Sequence, residues 1–231
     1  MWATTFPRLF ELYRTDRTNP NNYFNHPNCQ SALESDPPDP YLTELECILA
    51  ELDPAAWQEW KGRAALTLSV EDRYGHPLPL FDSFNEARAY VFLKQQGYIE
   101  VTFLKAGRTK VPDLSAKTSA GDIILLEAKR IRDSVEETEY LVSPGHHDMR
   151  LVRHGLSDSM SAKLRSTVER AREQLFALED EKILRRILYL SIRIDSQSAT
   201  QKTVQEIGHL LSQIRIDQME IVHVIENKFL L

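Results

Sequence analysis

The run Asp122-Ile-Ile-Leu-Leu-Glu-Ala-Lys-Arg-Ile131 constrains this chain more than any other stretch. Successive side chains of a strand point to opposite faces, so the four aliphatic residues Ile123 to Leu126 make both faces apolar. A strand of that kind belongs in the middle of a sheet covered on both sides, the arrangement of α/β proteins. Glu127 and Lys129 end the apolar run abruptly. Two residues apart, they share one face while Ala128 points away.

The residues around this strand read as a regular succession of elements. Ser83-Phe-Asn-Glu86 has the form of a capping box, with Phe84, Ala87 and Val91 following on one helical face and Gly97 as a stop. From Tyr98 to Lys105, Ile99, Val101 and Phe103 alternate with Glu100 and Thr102, the period of a half-buried strand. A second strand is expected over 109–117, bent or at an edge because Pro112 cannot donate to a ladder. Beyond the central strand, residues 131–158 form a long mixed connection, read as a functional loop or lid. Met160, Leu164, Val168, Ala171, Leu175 and Leu178 then recur at helical spacing. A strand over 186–194, a helix with Val204, Ile207, Leu211 and Ile214 on one stripe, and a strand around 221–225 complete the chain. From Phe81 the order is α-β-β-β-α-β-α-β.

The first 75 residues have a different character and read as a helical appendage, leaving 76–231 as the main domain. Phe6, Leu9, Phe10 and Tyr13 predict one helix within 1–14, and the Asn- and Pro-rich stretch 15–40 an irregular connection. Leu42, Leu45, Ile48, Leu49 and Leu52 predict a helix ending before Pro54. Trp57 and Trp60 lie at helical spacing and read as core contacts rather than base-stacking platforms.

At 231 residues and 42% hydrophobic, the chain can bury one substantial core, or one core with a small subdomain. Two cysteines, Cys29 and Cys47, supply no disulfide framework or four-thiolate zinc site, and a cytoplasmic location is expected. No apolar stretch reaches the roughly 18 residues of a membrane span, so no membrane partner is expected. The net charge of −6 opposes a polyanionic ligand on average, but it is unevenly distributed. Residues 1–100 carry 8 Lys and Arg against 15 Asp and Glu, residues 101–195 carry 17 against 15, and residues 196–231 carry 3 against 4. The middle of the chain is mildly basic.

Chemistry concentrates in Pro112-Asp113, thirteen intervening positions, and Glu127-Ala128-Lys129, on adjacent predicted strands after a helix bearing Glu86. A hard divalent cation such as Mg²⁺ takes oxygen ligands and usually one or two protein carboxylates, leaving positions for water and substrate phosphate. Asp113 and Glu127 are the two carboxylates, and Lys129 shares the face of Glu127. Separately, each has a plainer reading: a turn aspartate after proline, and a salt-bridged pair where a buried strand emerges. Together, in this order and on these elements, they resemble the PD-(D/E)XK nuclease superfamily over roughly residues 81–194.

The resemblance implies a restriction-endonuclease-like α/β core, with a mixed central β-sheet flanked by helices. It also implies an Mg²⁺-dependent endonuclease-type phosphodiesterase, with Mn²⁺ as a substitute and DNA favoured over RNA as the nucleic acid cut. By the same resemblance Asp113 and Glu127 bind the metal, the Ala128 carbonyl is a further ligand, and Lys129 positions the attacking water or stabilises charge on the pentacovalent phosphate. Glu86 matches an acidic residue that many members carry on the helix before the hairpin, although it could equally close the capping box with Ser83.

Lys163, Arg170 and Gln174 lie near one side of the helix after the central strand, where they read as a solvated face or as contacts toward the site. His146, His147 and Asp148 form a cluster without helical ligand spacing or a third defined partner. No Walker-type loop and no G-x-S-x-G elbow is present. Two alternatives stand beside the enzyme: a catalytically silent nuclease-like binding or assembly module, and a nuclease subunit taking its target from a partner. The reading leaves room for a homodimer or for a protein partner that supplies specificity.

Overall fold

The structure is a computed structural model that describes residues 2–71, 78–104, 111–132, 156–193 and 201–226. Its chain contacts divide into two compact units. One comprises Met1–Leu104, Leu114–Ser119 and Leu230–Leu231, the other Lys105–Asp113 and Ala120–Phe229. The His146–His147–Asp148 cluster and positions 133–155 of the expected lid lie outside the described residues.

Proline punctuates the first unit. Helices α2 (Pro7–Tyr13), α3 (Pro27–Leu33), α4 (Pro40–Ala50) and α5 (Pro54–Ala65) each open with proline in the first turn, where its missing N–H costs no hydrogen bond. The single helix expected within 1–14 is instead two, α1 (Trp2–Thr5) and α2. They are separated at Phe6, because a residue preceding proline is pushed out of helical geometry. The connection expected over 15–40 contains α3 and a 3-10 turn at Tyr23–Asn25. Asn22, one of the Asn residues that suggested a loop, acts there as a cap, accepting from Phe24 N at 3.0 Å, and His26 does the same for Asn28 N at 3.3 Å.

Helix α6 (Leu78–Gln95) runs through the core of this unit, with Leu80, Phe84, Ala87, Tyr90 and Leu93 almost wholly buried. It begins five residues before Ser83, so the expected capping box does not form. Ser83 is inside the helix, where its hydroxyl donates to the Pro79 carbonyl at 3.1 Å. Trp57 and Trp60 are each 1% exposed and stacked at 5.6 Å, and Trp60 Nε1 donates to Ser83 O at 2.7 Å. They are core residues, closed to a nucleobase. Gly97, at φ +81, ends the helical segment and leads into β1 (Ile99–Phe103). Strand β1 pairs antiparallel with β2 (Leu114–Lys117), joining Phe103 to Leu114, and Tyr90 stacks on Phe103 at 5.3 Å. The second strand therefore begins after Pro112 and Asp113, whereas the sequence pattern puts both inside it.

The second unit is built on three parallel strands, β3 (Ile123–Ile131), β4 (Ile183–Arg193) and β5 (Met219–Glu226). As expected, β3 is central in character: Ile124, Leu125 and Leu126 are 0–3% exposed. Its ladder with β4 continues past the charged residues to Ile131, pairing Glu127 with Leu188 and Lys129 with Leu190. Helix α7 (Asp158–Leu175) packs on β3 and β4 through Met160, Leu164, Val168, Ala171 and Leu175, the expected stripe. Ser157 caps it, accepting from Met160 N at 3.1 Å. The helix ends at Leu175, so Leu178 falls beyond it. In α8 (Gln201–Gln213) the buried face is Thr203, Ile207, Leu210 and Leu211, with Val204 only half-buried, so the apolar stripe is rotated from the expected one.

The chain is thus α/β, and its described residues include an antiparallel pair and a parallel trio of strands. Among the described residues the elements from α6 onward follow the order α-β-β-β-α-β-α-β. Among the described residues no helix is long and apolar enough to cross a membrane.

Candidate active site

Within the second unit, Asp113, Glu127, Ala128 and Lys129 come together. One Asp113 carboxylate oxygen accepts the backbone N–H of Ala128 at 2.8 Å. That bond fastens the turn after Pro112 to the central strand between Glu127 and Lys129. The N–H and C=O of one strand residue leave the backbone on the same side, so the Ala128 carbonyl is directed to the flank occupied by Asp113.

The Glu127 side chain is 0% exposed. The Lys129 ammonium lies against its Oε1 as an ion pair, and Oε2 has no hydrogen-bond donor among the described residues. A buried carboxylate oxygen without a donor is costly, and native proteins rarely leave one without a reason. Burial, and secondarily the negative charge of Asp113, pushes the Glu127 carboxyl up to about 7 against the pull of Lys129. Lys129 keeps 28% of its side chain exposed, so its ammonium stands between the buried carboxylate and solvent.

Of the other sequence candidates, Glu86, Lys163 and Arg170 have partners of their own. Glu86 belongs to the first unit, where its carboxylate pairs with Arg63 of α5 at 2.7 Å. Nothing in the sequence marks Arg63, and only the packing of α5 on α6 brings it to Glu86. Lys163 donates to the carbonyl of Arg132 at 2.9 Å, just past the end of β3. Arg170 folds back on its own helix, to Ser166 O at 3.3 Å and Thr167 Oγ1 at 3.4 Å. Gln174 is half-buried on the same helix.

Among the described residues no group of three or more His, Cys, Asp or Glu side chains is placed to hold a metal. What the second unit offers is two carboxylates, a main-chain carbonyl and an ammonium. Comparison with protein-family models, curated proteins and solved structures produced no match.

Proposed function

We propose that this chain hydrolyses nucleic-acid phosphodiesters with a hard divalent cation held by Asp113 and Glu127, DNA being favoured over RNA. The reading rests on the resemblance of Pro112-Asp113 and Glu127-Ala128-Lys129 to the PD-(D/E)XK nucleases. The observation that carries it is Glu127: a buried carboxylate with one oxygen lacking a donor among the described residues, beside a second carboxylate and a single ammonium.

The donor set fits Mg²⁺ or Mn²⁺. Two carboxylates and the Ala128 carbonyl are all hard oxygens, and two is a usual carboxylate number for Mg²⁺, which keeps water and phosphate in its remaining positions. When bound, such a cation would stabilise the negative charge that develops on the phosphate oxygens and acidify water. The chain's own groups do the rest. Asp113, held by the Ala128 N–H, fixes one side of the site. Glu127 contributes a carboxylate whose burial removes competition from bulk water. The Lys129 ammonium, part-exposed, holds the attacking water by hydrogen bond and donates to a non-bridging phosphate oxygen.

Cleavage of plasmid and linear DNA with Mg²⁺ or Mn²⁺, alongside calorimetric metal titration, tests this reading. Lys129→Ala should lower the cleavage rate by about 10²- to 10³-fold while metal binding persists. Glu127→Gln should lose both. Undiminished cutting by the Lys129 variant, or a wild-type protein that neither binds metal nor cuts, would overturn the proposal, the latter leaving a silent binding module.

A further inference from the structure

Trp57 and Trp60 are sealed in the core of the first unit, whereas Trp2 on α1 is only half-buried. Its ring stands edge-on to Phe10 with centroids 4.9 Å apart, and Tyr13 is tilted against it at 5.4 Å. It also lies nearly parallel to Phe24 at 6.3 Å. Phe24 is wholly buried, so one face of Trp2 looks onto the core and the other away from it. Phe10 and Tyr13 are half-buried as well.

Two arginines border this aromatic group. Arg14 ends α2 in helical geometry, four residues after Phe10, so the two side chains lie on one side of the helix. Arg17 follows in the next turn. Both are exposed, and neither side chain forms an ion pair or hydrogen bond among the described residues. Asp16, the acid between them, instead accepts the Asn19 amide at 2.9 Å. The loop that carries Arg17 is braced by side chains: Asn22 donates to the Asp16 carbonyl at 3.0 Å, and Asn25 to those of Arg17 and Asn19 at 3.3 and 2.7 Å. Residues 1–100 hold 15 Asp and Glu against 8 Lys and Arg, so two arginines without an acidic partner stand out there.

A guanidinium beside an open aromatic face suits a single nucleic-acid strand, whose phosphates meet the cation and whose bases stack on the ring. A duplex keeps its bases inside. An acidic peptide would use the arginines and leave the ring idle.

We infer that this surface of α1, α2 and the loop after them binds single-stranded nucleic acid, with Trp2 stacked on a base and Arg14 and Arg17 on the flanking phosphates. The inference takes its ligand class from the proposed hydrolysis, but it concerns binding and uses none of the residues of that site. Phosphate contacts release condensed counterions, so affinity should fall with salt by a log–log slope of about 0.7 per contact on a single strand.

The test follows the tryptophan emission of the full chain in EDTA, where no cutting occurs, as oligothymidylate is added. Trp57 and Trp60, each 1% exposed, are out of reach of the strand, so quenching reports Trp2. In Trp2→Leu the quenching should vanish, and affinity, read by anisotropy of a labelled oligonucleotide, should fall about 5- to 150-fold. Arg14→Gln/Arg17→Gln should bind more weakly at low salt, with a slope shallower by about 1.4. Melting of both variants establishes that the fold is kept, and the arginine variant, altered only at exposed side chains, carries the test if Trp2→Leu unfolds. No quenching of wild type at low salt, an affinity unchanged in a folded variant, or equal affinity for a duplex of the same length would overturn the inference. Polyglutamate binding as tightly as the oligonucleotide would overturn it too, and mark the surface as one for an acidic protein. Strand binding without cutting in Mg²⁺ would overturn the hydrolytic reading alone, and cutting without quenching the inference alone.

Discussion

Glu127→Gln separates a buried catalytic carboxylate from a passive ion pair by its effect on stability. In the folded protein Glu127 titrates near 7 rather than at its ordinary 4.5, chiefly through burial. The folded state therefore holds the proton more tightly than the unfolded chain does. Between these two values it binds more protons, so this group's contribution to stability falls as pH rises from 4.5 through 7. At about 1.4 kcal/mol for each pH unit separating the two values, ionised Glu127 costs the fold on the order of 3 kcal/mol at pH 8. Glutamine keeps the shape and cannot ionise. Lys129 loses its partner in the variant but, being 28% exposed, keeps access to water. In urea unfolding with EDTA, the variant should match wild type near pH 4.5 and exceed it by about 3 kcal/mol at pH 8. Taking the difference between the two proteins cancels the titration of groups distant from Glu127, so what it reports is the carboxyl together with its neighbours Asp113 and Lys129. Adding Mg²⁺ at pH 8 should then stabilise wild type, by about 2.7 kcal/mol at a hundredfold excess over Kd, and leave the variant unchanged. A variant less stable than wild type at pH 8, or a difference that does not vary with pH, would show that Lys129 already compensates Glu127 fully. The case for a cation would then collapse.

Two further predictions concern the first unit. Asn85 is 1% exposed on α6, and neither its amide nitrogen nor its oxygen has a hydrogen-bond partner among the described residues. Asn85→Leu should raise the urea midpoint, with a gain of about 1–3 kcal/mol, and a loss of stability would mean that the amide is satisfied by buried water. Glu46 is buried on α4 and accepts the N–H groups of Arg8 and Leu9 at 2.8 and 3.0 Å, capping α2 from a distance in sequence. Glu46→Ala should cost about 1–2 kcal/mol, and an unchanged melting temperature would refute that role.

Elements that depend on short-range periodicity are legible in the residue pattern. Ile123–Leu126 announces a buried strand because four aliphatics in a row can be covered only from both faces, and the stripe from Met160 to Leu175 announces α7 in the same way. The pattern misleads where one residue type serves two purposes. Ser83 and Glu86 have the spacing of a cap, yet α6 starts earlier at Leu78, and the Ser83 hydroxyl is spent inside the helix on the Pro79 carbonyl. Asn22 and His26 have the character of loop residues, yet they cap short helical segments.

The same division holds for the candidate site. That Glu127 and Lys129 share a face and flank Ala128 follows from sequence alone, because the two-residue period of a strand is a property of backbone geometry. Tertiary structure decides that Asp113 binds the Ala128 N–H, that Glu127 is sealed from water with one oxygen lacking a donor among the described residues, and that Glu86 is paired with Arg63. Those facts join residues 15 or more positions apart, or depend on burial. Neither is set by local backbone preference, since both follow from which surfaces the folded chain closes against one another.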